Sequence, residues 1–273
     1  FLGDSLAEIA AEKAGILKPG VIGVIGQQAA EAARVLDGEA ARVGANLLRQ
    51  GDDWQVEKRA GRLHFQSARG ELKLPLPILT GQHQLQNAGL ALACLQNLGG
   101  FSLTARDMAA GLTTAQWPGR LQRLMQGPLY ETMGPESELW LDGGHNPGAG
   151  AALARTLANW QARDETPRPL HLIVGMLNNK DVANFLAPFR SLNPKLHAVA
   201  VPYEDATMAP EQIVEAAVAQ GLEASPAESV GQALDRIVAI QKQGPAPRVL
   251  ICGTLYLAGS ILATNPQDEM KPD

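Results

Sequence analysis

Residues Glu138–Gly150 read ELWLDGGHNPGAG, and this stretch limits the fold more than any other. Leu139, Trp140 and Leu141 make a short apolar run of the buried-strand type. The chain then turns through Asp142, Gly143, Gly144 and His145, and Asn146-Pro147 has the order of an N-cap and the first residue of a helix. The expectation is a strand–loop–helix corner. Backbone N–H groups point out of such a helix start, and two glycines let main chain approach a ligand closely, so phosphate or carboxylate oxygens are natural guests. Asp142, at the carboxyl end of the strand, is placed to accept from a ribose hydroxyl, and His145 to reach a phosphate or an incoming amine. Taken alone, the same letters also describe an ordinary helix start beside a solvated histidine.

The rest of that half repeats the pattern. Apolar runs at 139–141, 170–175, 196–201 and 248–252 alternate with helical segments near 148–160, 181–189, 210–219 and 230–241. Such alternation predicts a doubly wound, mostly parallel sheet. Ligands of these sheets gather at the carboxyl ends of strands, where Asp142, His145, Gly175-Met176, Tyr203 and Gly253-Thr254 fall. His171 and His197 lie inside strand runs and read as packed residues.

Upstream, 4–14 predicts a helix capped by Asp4 or Ser5 and ended by Gly15, with Lys13 a cation suited to its carboxyl end. A strand at 21–25 and a helix through about 28–36 continue a parallel sheet. Short strands at 54–57, 63–66 and 72–76, separated by glycine-containing turns, predict an antiparallel appendage, with His64 a packing residue inside it. A helix follows from Thr80, a plausible cap, through Leu98. It sets His83 and Asn87 one turn apart, and an amide matches the donor–acceptor edge of adenine. After a helix over 104–112, Trp117-Pro118-Gly119 breaks the pattern. The boundary is set there, giving domains 1–116 and 117–273.

Composition removes several classes. A net charge of −5 argues against a nucleic-acid partner. No run of about 18 apolar residues and no signal peptide is present, so no membrane partner and a cytoplasmic location are expected. Cys94 and Cys252 stand in apolar contexts without ligand spacing and read as buried free thiols. The chain contains no Gly-Lys dipeptide, hence no Walker A loop, and no well-placed GxGxxG. It opens FLGDSLAEIA without Met, so the front of a longer protein is expected to be missing and the fragment to be inactive alone. The polar tail 265–273 is expected to fray.

The D-G-G-H-N-P corner resembles the D-G-A-H-N-P corner of the Mur ligase superfamily, in its folylpolyglutamate synthase/dihydrofolate synthase branch. Five further stretches resemble that branch in the same order. Leu2-Gly3 with Ile9-Ala10-x-Glu12-Lys13-Ala14-Gly15-Ile16-x-Lys18 is similar to its L-G-x-[ST]-x-x-x-I-A-x-E-K-A-G-I-x-K signature, and Gly81-x-His83-Gln84-x-x-Asn87-Ala88 to its G-x-H-Q-x-x-N-A. Trp117-Pro-Gly-Arg120 is similar to its W-P-G-R linker, and Cys252-Gly-Thr254-Leu-Tyr256-Leu to its G-S-L-Y-L ending, with threonine for serine. Gly175–Asp181 resembles its G-x-x-x-D-K-D loop with Asn179 for the first aspartate, keeping Lys180-Asp181.

The resemblance implies the end of a Mur ligase-type central ATPase domain followed by a Rossmann-like α/β domain. It implies an ATP- and Mg2+-dependent ligase that joins L-glutamate to dihydropteroate or a folate through an acyl phosphate, acting as a monomer. By the same resemblance Lys13, carbamylated, serves the metal, Asn87 the adenine, Arg120 the phosphates and Asp142 the ribose. Asn146 belongs to the nucleotide-binding set, and His145 lies near the transfer site. Closure about Trp117–Arg120 is expected, since ligands fall on both sides of it. The rivals are a peptidoglycan-type Mur ligase, disfavoured by E-K-A-G-I, and a nucleotide-binding module without catalysis.

Overall fold

The computed structural model describes residues 5–241 and 244–267. Leu2, Gly3 and Asp4, which belong to the N-terminal pattern and its candidate cap, lie outside the described residues, as does the tail from 268 on. The chain divides into two compact units. One takes in residues up to Ile78 together with His83–Ala115, and the other Leu79–Gln82 together with the chain from Gln116 on.

The first unit runs α1 (Leu6–Ala14), β1 (Ile22–Ile25), α2 (Ala30–Val43), β2 (Asn46–Arg49), β3 (Trp54–Arg59), β4 (Arg62–Ser67), β5 (Gly70–Leu74), α3 (Gln82–Asn97) and α4 (Ala105–Thr114). Ser5 caps α1 in a reciprocal capping box with Glu8, and Thr104 does the same for α4 with Asp107. The helix from 30 outruns its expected end because Leu36 and Ala40, with Ala14 and Leu17, form a small core. It leads into β2, which pairs in parallel with β1 and was absent from the sequence reading. The expected antiparallel appendage is present as β3-β4-β5. Its first turn uses Ala60 and Gly61, both at positive φ (49° and 75°), the geometry that matches strand twist in a two-residue hairpin. The sheet packs on α3 through Trp54, Val56, Leu63, Phe65 and Leu92. Helix α3 begins at Gln82, preceded by Gly81 at φ 120°, so Thr80 does not occupy the cap position. Cys94 on α3 is exposed, contrary to expectation, and only Cys252 is buried.

The second unit runs β6 (Gln122–Leu124), α5 (Pro128–Met133), β7 (Glu138–Leu141), α6 (Pro147–Gln161), β8 (Leu170–Val174), α7 (Val182–Leu186), β9 (Lys195–Ala198), α8 (Pro210–Ala219), β10 (Glu223–Pro226), α9 (Val230–Ile240), β11 (Arg248–Cys252) and α10 (Leu255–Thr264). The expected segment at 181–189 is α7 continued by a 3-10 turn over Ala187–Leu192. One sheet of order β10-β9-β8-β11-β7-β6 results, parallel except for β6. Side chains of α6, α7 and α8 cover one face, including Leu153, Phe185 and Ile213; those of α5, α9 and α10 cover the other, including Met133, Leu234 and Ile261. The sheet is therefore doubly wound, as expected, and both faces are dry.

At the amino ends of the strands, Arg248 is only 3% exposed. Its guanidinium donates to Glu138 at 2.5 Å and to both oxygens of Asp164 at 2.9 and 3.1 Å, and lies over Trp160 at 5.3 Å. Burial opposes ionisation of Glu138, but Arg248 and the Trp140 indole N–H outweigh it and hold its pKa below the usual value. The start of the tail is anchored rather than frayed: Asn265 is buried, its Oδ1 accepts from Leu129 N at 2.9 Å, and Gln267 Oε1 accepts from Met125 N at 3.0 Å.

His171 on β8 and His197 on β9 are packed, as expected. Their rings stack at 5.5 Å, with Nδ1 of the first 3.2 Å from Nε2 of the second. One proton fits between these nitrogens, and a second would set two N–H groups head to head. Burial first, then His197 and Lys195, push the His171 pKa down to about 4; burial, then Arg236 and Lys195, lower that of His197, opposed by Glu223.

A histidine whose folded pKa lies below its unfolded value near 6.5 lets the unfolded chain bind protons first. Stability is then complete above about pH 6.5 and falls toward pH 4. Denaturant titrations at pH 7 and pH 5 should differ by roughly 1–2 kcal/mol, and the difference should shrink in His171→Leu/His197→Leu. Equal pH dependence in that variant would dismiss the pair as its source. A second prediction concerns α6 and α7. A Cβ at Gly150 would lie 2.2 Å from the Phe185 carbonyl oxygen, a main-chain atom that no rotamer change can move. Gly150→Ala should lose roughly 1–3 kcal/mol of stability, read from its urea midpoint; an unchanged midpoint would refute the contact.

Candidate active site

Strand β7 ends by handing the backbone N–H of Asp142 to Ile251 O at 2.9 Å, which extends the ladder with β11 by one residue. The Asp142 side chain is 6% exposed. Its Oδ1 accepts from Gly144 N at 2.6 Å and its Oδ2 from Leu121 N at 2.7 Å. Short bonds of this charge-assisted kind offset the desolvation of a buried carboxylate. Gly143 N donates to Gly119 O at 2.8 Å, so the Trp117–Leu121 segment is tied to the corner at two points.

The two glycines are fixed by the protein's own packing. A Cβ at Gly143 would stand 2.3 Å from Leu255 Cδ2, and one at Gly144 would stand 2.7 Å from Asp142 Oδ1 and 2.9 Å from Ala149 Cβ. His145, half-buried, has Nδ1 3.0 Å from Gly143 O. A carbonyl oxygen only accepts, so Nδ1 carries the proton of the neutral ring and Nε2 keeps the lone pair. Asn146 caps α6, with Oδ1 accepting from Ala149 N at 2.9 Å, and Pro147 takes the first helical position. Sequence reasoning gave both features of this start.

Arg120 projects from a turn between Gly119 at φ 70° and Leu121 at φ 42°. Its guanidinium carbon lies 5.9 Å from the Trp117 ring centroid. Leu121 was not singled out in the sequence, because nothing in its neighbours announces a buried leucine in the left-handed region. At the neighbouring strand ends, Gly253 takes φ 119°, and a Cβ there would meet Gly175 O at 2.4 Å. Thr254 caps α10, its Oγ1 accepting from Tyr256 N at 3.3 Å. Helix α6 leaves β7 toward one face and α10 leaves the adjacent β11 toward the other, so a switch point of the kind that holds ligands lies between them. The Cys252 thiol just below is pushed upward in pKa by burial and then by the Asp142 charge. Asp181, of the Lys180-Asp181 pair, caps α7 through Asn184. Tyr203 stands fully exposed at φ 62°.

In the first unit, Lys13 lies exposed in the last turn of α1. Asn87 is exposed on α3 and donates Nδ2 to Gln84 Oε1 at 3.1 Å; Gln84, buried, places its own amide nitrogen 3.1 Å from His83 Nε2. The sequence reading chose the outer two members of this row and missed the middle one that orients them. Gln50, at the end of β2, accepts from Gln27 N at 3.2 Å and donates to Gln86, tying α3 to the carboxyl ends of β1 and β2. Among the described residues no group of three or more histidine, cysteine, aspartate or glutamate side chains is gathered to hold a metal ion. No described helix is long and apolar enough to cross a membrane.

Residues 126–264 match the family described as dihydrofolate synthetase, C-terminal domain. Dihydrofolate synthase/folylpolyglutamate synthase of Mycobacterium tuberculosis is 32% identical over 221 residues, covering 74% of this chain and 42% of that protein. A crystal structure of Mycobacterium tuberculosis folylpolyglutamate synthase complexed with ADP and AMPPCP superposes with a TM-score of 0.79 at 27% identity, over 99% of this chain and 62% of the other. A bifunctional folylpolyglutamate synthase/dihydrofolate synthase with Mn, AMPPNP and L-glutamate bound gives 0.74 at 26% identity, over 96% and 58%. The chain thus spans between two-fifths and two-thirds of the length of these relatives.

The corner generates a spectroscopic prediction. Long-range 1H–15N correlation spectra at pH 8 should show neutral His145 protonated at Nδ1, and a resonance pattern of the Nε2–H tautomer would contradict the bond to Gly143 O.

Proposed function

The chain belongs to the dihydrofolate synthetase C-terminal domain family, and from that premise we propose that it serves an ATP-dependent ligase joining L-glutamate to dihydropteroate, to a reduced folate, or to both. The observation that carries the reading is the corner itself: Arg120 comes from one motif and Asp142, His145 and Asn146 from another, and hydrogen bonds tie the two segments into one loop assembly. Both solved relatives hold a nucleotide, and one of them also holds Mn and L-glutamate. The chain has no Gly-Lys dipeptide, so the proposal concerns a longer enzyme in which a P-loop accompanies these residues.

In the proposed reaction a carboxylate oxygen of the pterin substrate attacks the γ-phosphorus of ATP. ADP leaves and an acyl phosphate forms. The glutamate amine then adds to the acyl carbon, phosphate departs, and the amine proton is released. Arg120 suits the phosphates because a guanidinium presents a fixed fork of donors, and its side chain has no hydrogen bond or ion pair among the described residues. Asp142, an acceptor at the carboxyl end of β7 with its oxygens on Gly144 N and Leu121 N, stands where a ribose hydroxyl would donate. Asn87 retains its carbonyl oxygen beyond the bond to Gln84 and suits an adenine amino group. His145 Nε2 is the ring nitrogen able to accept from the incoming glutamate ammonium.

Magnesium, when bound, would offset phosphate charge. Lys13 would serve it only as a carbamate, since an ammonium has donors and no lone pair. The described residues gather no complete ligand set for the ion. The proposal extends to a monomer in the cytoplasm.

The test is phosphate release by the full-length enzyme with ATP, magnesium, bicarbonate, L-glutamate and dihydropteroate or tetrahydrofolate. Release should require glutamate and fall at least tenfold in Lys13→Ala. Turnover with UDP-linked muramyl substrates instead would move the protein to the peptidoglycan branch, and no turnover with any acceptor would leave a binding module.

A further inference from the structure

Of the four tryptophans, Trp54 is buried and Trp140 and Trp160 pack on each other at 4.4 Å, whereas Trp117 is 61% exposed. An indole left in water is costly unless its face is used. The group on that face is the Arg120 guanidinium, 5.9 Å from the ring centroid. Two other arginines lie over tryptophans, Arg123 over Trp140 and Arg248 over Trp160, and Arg248 is also held by the carboxylates of Glu138 and Asp164. Arg120 has no such carboxylate among the described residues, and Trp117 is the one side chain recorded against its guanidinium.

The backbone around Arg120 is fixed from both sides. Gly119 N donates to Gln122 Oε1 at 2.9 Å and Gly119 O accepts from Gly143 N at 2.8 Å. Leu121, in the left-handed region at φ 42°, is only 1% exposed, and its N–H is taken by Asp142 Oδ2 at 2.7 Å. A branched-chain residue stays in that region only when its surroundings over-determine it. Here a buried side chain on one side and a charge-assisted bond on the other do so. The Arg120 Cα is therefore aimed by the turn, and what remains free is the long, rotamer-rich side chain.

We propose that Trp117 is a positioning residue: its exposed indole face holds the uncommitted Arg120 guanidinium in readiness for the phosphates of the nucleotide. The inference rests on the nucleotide reading above and deepens it. A neutral carboxylate-free platform suits this task. It restrains the fork through the face of the guanidinium and leaves its in-plane N–H donors open to phosphate oxygens, whereas a carboxylate partner would occupy them and repel the ligand.

The test measures binding of ATP and of adenosine by calorimetry to the full-length protein and its variants Trp117→Ala, Trp117→Phe, Arg120→Ala and the double Trp117→Ala/Arg120→Ala. Trp117→Ala should weaken ATP about 2- to 5-fold, the range of an exposed cation–π contact, with adenosine affinity and melting temperature unchanged. Trp117→Phe should restore most of the loss, and the double variant should match Arg120→Ala alone. Additive losses, or an equal loss for adenosine, would overturn the positioning role while leaving the nucleotide reading intact. If the wild-type protein does not prefer ATP to adenosine, the nucleotide reading fails and this inference with it.

Discussion

The Asp142 carboxylate is the constraint on which the second unit's corner depends. It is a buried anion reached by two backbone N–H groups that lie on opposite sides of it in sequence, Leu121 and Gly144. Remove the charge and the Leu121 turn loses the donor–acceptor pair that keeps a leucine in the left-handed region, so the direction of Arg120 is no longer fixed. Remove either backbone partner and a buried carboxylate is left under-solvated, which costs more than the bond itself contributes. The same side chain thus sets loop geometry on both sides of itself at once.

Behind that corner stands a sheet whose two ends are built differently. At the amino ends, a buried Arg248 joins Glu138 and Asp164 and is covered by Trp160, an arrangement that satisfies every charge internally. At the carboxyl ends, glycines 143, 144 and 253 stand where neighbouring atoms approach too closely for a Cβ, and polar caps Asn146 and Thr254 start the helices. Charge balanced by close ion pairs makes a rigid base. Glycine loops beside helix N-termini let main chain come close to a ligand, the setting that suits an anionic group.

Much of this was legible locally. Ser5, Thr104 and Asn146 announce helix starts because a cap acts within three residues of itself. The apolar runs of β7, β8, β9 and β11 announce buried strands because both faces of a doubly wound sheet are covered. The strands that escaped notice are β2, β6 and β10. Two of them, β6 (QRL) and β10 (EASP), lie at the edges of the six-stranded sheet, where a strand is half-wetted and carries no continuous apolar run. Gln84 escaped for another reason: a buried glutamine is recognised by its partners His83 and Asn87, not by its own letter.

The sequence by itself determined the corner, its caps, the doubly wound alternation and the family resemblance, since each is written in short-range spacing that propensity and burial act on directly. The tertiary structure alone decided that β11 inserts between β7 and β8, that Leu255 crowds Gly143, that His171 shares a proton with His197, and that Leu121 surrenders its N–H to an aspartate 21 residues away. Periodicity reports that a residue is buried and on which face; it does not name the neighbour. Neighbours are chosen by the packing of the whole sheet, which is where the aim of Arg120 is settled.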